Sequence, residues 1–272
     1  MPAFNIVAIL GFLFYFSFFA GATLTMKQIV GPDSIEVGST DELILDCDFE
    51  APGEEDVVLK WFFNGLENQI YQWITSYSYA SVLEPWKDLI DSNYRISKDP
   101  NSMLRALKFK EINPGLSGNY TCKVDSNDEV QWISKQIIVY SPATSFQIFL
   151  VGGDDEFHGN EVVLCDATNI YPKPNFDVYL AGDNGTIELP SIYHRSKEEI
   201  VGENGFYNVS IRISFNSSHL DYGTTKFLCI LKISGTNYTE TKNVEYFVDN
   251  GTQGISLTFT LLVMMLSALV FL

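Results

Sequence analysis

Four cysteines are the residues of this chain whose chemistry is easiest to infer. Cys47, Cys122, Cys165 and Cys229 form two well-separated pairs. No Cys-x-x-Cys motif occurs, so a zinc site or a redox-active dithiol lacks its usual sequence support. Residues 1–22 contain an apolar run followed by small residues, as a secretory signal does, and an even number of cysteines in a secreted chain predicts structural disulfides. We therefore expect two bridges, Cys47–Cys122 and Cys165–Cys229, one in each half of the chain.

Few residues could support catalysis or metal binding. His158, His194 and His219 lie outside any hydrolase, zinc-protease or phosphate-loop motif, and His194 is expected in an exposed loop. The acidic run 154–156, near His158, could hold calcium weakly. Three consecutive acids lack the alternating spacing of a calcium loop, so a solvated turn is favoured. The chain is therefore not expected to be an enzyme or to need a cofactor or metal.

The segment Leu-Ser-Gly-Asn-Tyr-Thr-Cys, which ends at Cys122, indicates the fold of the first half. It places Tyr120 after a tight turn and two residues before the cysteine, while Cys47 lies on an alternating strand, 43–49. Trp61 lies between the two cysteines. This order of Cys, Trp, Tyr and Cys is typical of an immunoglobulin sandwich, with Trp61 packed on the disulfide and Tyr120 forming the tyrosine corner. The separation of about 75 residues leaves room for the extra strands of a variable-type domain.

The second half predicts a related sandwich. Cys165 is followed by Tyr-Pro-Lys-Pro at 171–174, which is similar to the turn after the first cysteine of constant-type immunoglobulin domains, and Cys229 would close the bridge. No Trp follows Cys165 on the next strand, where Val178 or Tyr179 takes its place. The corner is stretched to 220–223, with Phe227 two residues before the second cysteine.

The sequence thus predicts an all-β protein of two tandem immunoglobulin-like sandwiches. The variable-type domain covers residues 23–140 and the constant-type domain 143–248. The linker Ser141-Pro142 is short, so the two should form a fairly stiff rod. Within the first domain, the segments that we interpret as strands C′, D, E and G are 69–74, 94–97, 104–109 and 134–140, with a long irregular stretch at 75–90.

Both ends of the chain are apolar. Residues 1–22 are interpreted as a signal peptide, a membrane anchor being the alternative, and 255–272 as a hydrophobic tail. The tail reaches Leu272 without a charge and follows small residues, a pattern typical of a lipid-anchor signal. We expect Asn250 to be the residue to which the lipid is attached. A single membrane helix at the C-terminus is the alternative. Either reading places the chain on the outer face of the plasma membrane.

The charge and the glycosylation motifs agree with an extracellular protein. A net charge of −17 disfavours nucleic acid as a partner, because an acidic surface repels phosphates. Asn-x-Ser/Thr motifs, which predict N-linked glycans, occur at Asn119, Asn184, Asn208, Asn216 and Asn237, besides the one at Asn250.

Several motifs of the first domain resemble the beaten path family of arthropod axon-guidance proteins. They are the segments 59–64, 70–74, 105–107 and 116–122, and the likeness extends to the variable-then-constant order and the Tyr-Pro-x-Pro motif. The resemblance implies a cell-surface or secreted recognition protein. It also implies a partner among sidestep-type immunoglobulin receptors on opposing cells. Binding to a second copy of the chain, or a secreted ligand-binding or immune role, are the alternatives.

Strand parity suggests where a partner would bind. If Trp61 points inward, its neighbour Phe62 points outward. Tyr71 and Trp73 share one face of the next strand. On the last strand of the domain, Trp132 lies at a position that points outward. We expect these four aromatic residues to form an exposed binding face, because exposed aromatic clusters are typical of interfaces. The alternative is that the second domain, a glycan or the 75–90 loop covers them.

Overall fold

The computed structural model describes residues 23–54, 56–152, 161–182, 185–202, 204–220 and 222–248. The segments interpreted as a signal peptide and as a hydrophobic tail lie outside these residues, as do the acidic run 154–156, His158, Asn184 and Asn250. Two short 3₁₀ turns, Pro114–Leu116 and Ser217–His219, accompany seventeen strands in the described ranges. No helical segment of the described ranges has the length and apolarity needed to span a bilayer.

The first sandwich consists of nine strands in two sheets. A six-stranded sheet has the order β2-β9-β8-β4-β5-β6 and packs against a three-stranded sheet, β1-β3-β7. The pairing is antiparallel except between β2 and β9, which run parallel. The strands are β1 (Thr25–Val30), β2 (Ser34–Glu36), β3 (Leu43–Glu50), β4 (Val58–Phe63), β5 (Gln69–Ile74), β6 (Ala80–Val82), β7 (Ala106–Phe109), β8 (Gly118–Asp125) and β9 (Val130–Tyr140).

One predicted strand of the first sandwich is wrong. Residues 94–97 form no strand, and the strand expected at 104–109 begins only at Ala106. The free edge of β7 is instead occupied by residues 89–91: Asp91 N–H donates to Lys108 C=O at 2.8 Å, and Lys110 N–H donates to Leu89 C=O at 2.9 Å. Because this earlier segment takes the edge, residues 94–97 have no strand with which to pair.

The core of the first sandwich surrounds the Cys47–Cys122 disulfide, whose S–S distance is 2.04 Å. Trp61 is fully buried against it, and its indole N–H donates to the Arg105 carbonyl at 3.1 Å. Tyr120 is equally buried, and its hydroxyl donates to the Leu116 carbonyl at 2.8 Å. Burial raises the pKa of Tyr120 far above its usual value. Trp61 and the tyrosine corner therefore occupy the places that the sequence predicts.

The second sandwich consists of eight strands in two four-stranded sheets, β10-β11-β15-β14 and β13-β12-β16-β17. Its strands are β10 (Ser145–Val151), β11 (Glu161–Ile170), β12 (Asn175–Gly182), β13 (Gly185–Ile187), β14 (His194–Val201), β15 (Tyr207–Phe215), β16 (Gly223–Lys232) and β17 (Thr239–Val248). His194 begins β14 and is exposed, so the prediction of a loop at this residue is wrong and that of its exposure is correct.

Aromatic residues fill the core of the second sandwich in place of the missing Trp. Cys165 and Cys229 are bonded, and Val178, which is buried, lies directly opposite Cys229. Tyr193 supplies the additional bulk, with its ring 5.8 Å from that of Phe227, which is fully buried. The tyrosine of the stretched corner, at position 222, is exposed. Phe227 thus takes the buried position two residues before the cysteine.

Strand β14 is an edge strand whose inward side is charged. Arg195, Lys197 and Glu199 lie opposite the buried residues Ile213, Ile211 and Val209 of β15 and therefore point toward the other sheet. Each reaches a group on β12 or just before it. These contacts join Arg195 to Asp177 at 2.6 Å, the Lys197 ammonium to the Phe176 carbonyl at 3.4 Å, and Glu199 to Lys173 at 2.7 Å.

Candidate functional site

The candidate site is the outward side of the six-stranded sheet of the first sandwich, which we call the front face. Because Trp61 and Cys122 point into the core, alternate residues of these strands point outward. The strand pairing aligns them in rows across the sheet. The row at the end of the sheet, which we call the end row, contains Val130, Asp125, Val58 and Ile74. The next outward-facing row, two residues further along each strand, contains Trp132, Lys123, Lys60, Gln72 and Ser81, and we call it the tryptophan row.

Trp132 is the large exposed aromatic residue of these two rows. It lies on β9 opposite Lys123, and 59% of its surface is accessible. Val130, its neighbour in the end row, is 49% exposed. The predicted exposure of Trp132 is correct. An exposed indole offers a large apolar area with only two rotatable side-chain bonds, so covering it costs little side-chain entropy.

Tyr71 and Trp73 do not belong to the front face, so their predicted exposure is wrong. They pair with Trp61 and Leu59 of β4 and point into the core with them, each about 1% exposed. The Tyr71 hydroxyl donates to the Leu104 carbonyl at 2.8 Å, and the Trp73 indole N–H donates to the Tyr77 carbonyl at 3.0 Å. Burial, and then the Asp91 carboxylate, raises the pKa of Tyr71 far above its usual value.

Phe62 points outward, as predicted, but it is only 7% exposed, so its predicted role as an exposed anchor is wrong. It lies in the middle of the sheet, opposite Thr121 of β8 and Gln69 of β5. The pairing with β5 shifts by a bulge between Trp61 and Phe62. Since Thr121 is itself buried, at 5% exposure, this part of the front face is closed by its own side chains.

A charged network connects the two rows. Asp125 accepts from the Lys60 ammonium at 3.1 Å and lies 2.7 Å from that of Lys123. Partial burial raises the pKa of Asp125, but the hydrogen bonds and charges of Lys123 and Lys60 outweigh it, so that the pKa is lower than usual. Two ammonium groups share one carboxylate, and each ammonium has three donors. The network is thus ordered and keeps donors for a partner.

An exposed tyrosine pair lies beside the end row and is absent from the sequence-based prediction. Tyr77 and Tyr79 lie in the turn after β5, 48% and 62% exposed, and their rings are parallel with centroids 5.5 Å apart. The turn is fixed because Tyr77 N–H donates to the Ile74 carbonyl at 2.8 Å. The Ser-Tyr-Ser-Tyr repeat, with aromatic residues two apart, was the signal for this pair within a stretch interpreted only as irregular.

The predicted glycosylation sites among the described residues lie away from the two rows. Asn119 is half-buried and points outward from β8, six residues from Asp125, which corresponds to about 20 Å of strand. Asn208, Asn216 and Asn237 are exposed on the second sandwich. Glycans at these residues stay a prediction. A glycan on Asn119 would cover the opposite end of the front face and leave the end row open.

Two open hollows in the described residues are lined by charged side chains. One, of about 350 Å³, lies beside β3 on the first sandwich and includes Asp48 and Arg105, which form an ion pair. The other, of about 610 Å³, lies between β12 and β14 and includes the Arg195–Asp177 pair. In each hollow, the named pair of opposite charges is thus engaged within the protein. Among the described residues, no three His, Cys, Asp or Glu side chains converge as a metal site would require.

The described architecture is that of two tandem immunoglobulin-like sandwiches. No protein-family model matches the sequence, and no curated protein matches it.

Among solved structures, bovine butyrophilin is similar, with a TM-score of 0.54 and 15% identity over 81% of this chain and 98% of that one. The extracellular portion of mouse CD200RLa matches with a TM-score of 0.49 and 12% identity over 78% and 96% of the two chains. Rst D1-D2 matches with a TM-score of 0.47 and 10% identity over 82% and 97%. The likeness to butyrophilin shows the fold.

Proposed function

We propose that this chain is a cell-surface recognition protein that binds another cell-surface protein through the front face of its first sandwich. The observation that carries the proposal is Trp132, which is 59% exposed beside an ordered network of Lys60, Lys123 and Asp125. Trp is among the residues most enriched at binding hot spots, and well-ordered charges around it provide specificity.

The exposed area of Trp132 sets the scale of its contribution. A tryptophan side chain presents up to about 250 Å², so its exposed part corresponds to roughly 150 Å². At about 25 cal/mol per Å², covering this area provides at most about 4 kcal/mol of binding free energy. This magnitude is that of a hot spot. A single residue of this size can therefore decide whether a partner binds.

The sequence resemblance directs the choice of partner. It supports a sidestep-type immunoglobulin receptor on an opposing cell and a role in neuronal guidance or cell contact. We further propose attachment to the outer face of the plasma membrane through the residues after Val248, by a lipid anchor at Asn250 or by a membrane helix. In either case the first sandwich is the part farther along the chain from the attachment point.

A binding screen of the glycosylated region 23–248 tests the proposal. The region is presented to a panel of cell-surface ectodomains, which includes immunoglobulin receptors and the chain itself. Each interaction is then repeated with Trp132→Ala. Phe247→Ala is the matched control, since Phe247 is an aromatic residue that is 49% exposed on the second sandwich.

The two variants separate the outcomes. Loss of binding for Trp132→Ala, with normal binding for Phe247→Ala, supports the front face. Normal binding of Trp132→Ala to a verified partner contradicts it. Absence of any partner in a panel that spans the immunoglobulin receptors counts against a recognition function of this kind.

A further inference from the structure

The two sandwiches contact each other through a small set of residues that we call the junction. From the first sandwich it includes Ile138 and Tyr140, near the end of β9. From the second it includes Gly235 and Tyr238, in the loop that connects β16 to β17. The Tyr140 and Tyr238 rings lie with their centroids 6.2 Å apart at an angle of 40°. Such a separation is within the range of favourable aromatic pairs.

Two observations favour glycine at position 235 of the junction. Its φ of +75° is in the left-handed region, which favours glycine. A Cβ atom at this position would also lie against the Cδ1 atom of Ile138, well inside van der Waals contact. The loop of the second sandwich therefore packs closely on the Ile138 side chain, whose terminal methyl group would have to move to admit even a Cβ atom.

Glutamates hold both tyrosines of the junction. The Tyr238 hydroxyl donates to Glu240 at 3.0 Å, and burial followed by this carboxylate raises the pKa of Tyr238 to about 12. Burial, and then Glu36 of β2, raises the pKa of Tyr140. Glu36 also contributes to the raised pKa of Tyr238, although the two residues belong to different sandwiches. At physiological pH both phenols are protonated and can act as donors to the carboxylates.

The linker leaves little free chain between the two sandwiches. Tyr140 C=O still accepts from Val37 N–H of the first sandwich at 2.8 Å. The next residue, Ser141, exchanges two backbone hydrogen bonds with Tyr171 of the second sandwich, at 2.8 and 3.1 Å. Thr144 N–H then donates to the Thr168 carbonyl at 3.0 Å. Tyr140 is thus hydrogen-bonded to the first sandwich and the next residue, Ser141, to the second.

We propose that the junction locks the two sandwiches into one rigid body, with Gly235 against Ile138 as the contact that sets their relative orientation. The lock fixes the direction of the front face relative to the C-terminal end of the second sandwich. Recognition then requires no hinge movement within the chain.

Nuclear magnetic relaxation of the region 23–248 tests the lock. The described residues of both buried cores lie within this region. In a rigid body the backbone amides of the two sandwiches report equal rotational correlation times. We expect equal values for the unmodified chain. In Gly235→Leu, the side chain forces the loop away from Ile138, and the values should fall toward those of separate sandwiches.

Gly205→Leu is the matched control. Gly205 has a φ of +79°, close to that of Gly235, but no atom of the described residues lies within 4 Å of the place that a Cβ atom would take there. This variant carries the same backbone strain and should tumble as one body. The double variant Ile138→Ala with Gly235→Leu makes room for the leucine side chain and should recover one correlation time, which separates the steric effect at the junction from simple misfolding of the leucine variant.

Two results would overturn the proposal. Unequal correlation times in the unmodified chain would show that the sandwiches move independently. Equal times in Gly235→Leu, with a thermal transition like that of Gly205→Leu, would show that the contact with Ile138 does not set the orientation.

Discussion

Replacement of Arg105 by Met should destabilise the first sandwich through a charge network that the sequence did not reveal. The guanidinium forms two parallel hydrogen bonds to Asp46, at 2.8 and 2.9 Å, and lies 2.9 Å from Asp48. The side chains of Arg105 and Asp46 are only 18% and 12% exposed. Methionine keeps much of the aliphatic stem, so the loss is mainly that of the charge and its hydrogen bonds.

The degree of burial sets the expected magnitude. An exposed ion pair contributes about 0–1 kcal/mol, whereas removal of one member of a buried pair costs about 3–5 kcal/mol because the other charge is left without a partner. The Arg105–Asp46 pair is closer to the buried case, whereas the Asp48 side chain, at 25% exposure, is more open to solvent. We expect a loss of about 2–4 kcal/mol in the free energy of unfolding. For a domain of this size, that corresponds to a decrease in Tm of roughly 8–16 °C.

Scanning calorimetry of the region 23–248 provides the assay. Lys27→Met is the control, because the Lys27–Glu50 pair lies on the same sheet but its side chains are 42% and 62% exposed. It should leave the transition of the first sandwich unchanged. A shift for Arg105→Met no larger than that of the control would refute the argument. Addition of Asp46→Asn to Arg105→Met should restore part of the lost stability, since the unpaired charge is then removed.

Four further predictions follow from burial, charge and covalent structure. Trp73→Ala should lower the unfolding free energy of the first sandwich by about 3–5 kcal/mol, as measured in urea, because it opens a cavity in the core. The lowered pKa of Asp125 means that its stabilising contribution is present above the pKa of the unfolded chain and is lost as the pH falls toward the folded value. Asp125→Asn should therefore reduce the loss of stability on acidification below about pH 4, as followed by circular dichroism. Replacement of Cys165 and Cys229 by Ala should destabilise the second sandwich by about 4 kcal/mol, given the 64-residue separation, and shift only its calorimetric transition. Asn237→Gln should remove the mass of one glycan from the secreted protein; an unchanged mass would show that the motif is not used.

Local sequence patterns predicted those parts of the fold that depend on one strand at a time. Cys47, Trp61 and Cys122 follow the alternation of strands with one buried face, and Tyr120 follows a turn, so each could be placed without knowledge of its neighbours. The same holds for Trp132, whose outward direction follows from the buried positions of the same strand. In the second sandwich, Phe227 lies two residues before Cys229 on the same strand, so its burial could be predicted in the same way.

Pairing between strands decided what the sequence left open. Parity places Tyr71 and Trp73 on one face of β5 but does not say which one; their pairing with β4 does. Burial of Phe62 depends on Thr121 and Gln69, which arrive from two other strands. The edge of β7 could be occupied by residues 89–91 or 94–97, and this competition is settled by tertiary contacts rather than by strand propensity.

The charged inner side of β14 has a consequence for contacts between copies of the chain. The outer edge of this eight-residue strand faces no described strand, so its backbone donors and acceptors are open to other molecules. A second copy that extended the sheet there would have to disturb Arg195 or Glu199, or desolvate them beside the new strand. Inward-pointing charges on an edge strand oppose such edge-to-edge aggregation. The ion pairs of Arg195 and Glu199, which hold these charges on the inner side of β14, thus disfavour association of two copies through this edge.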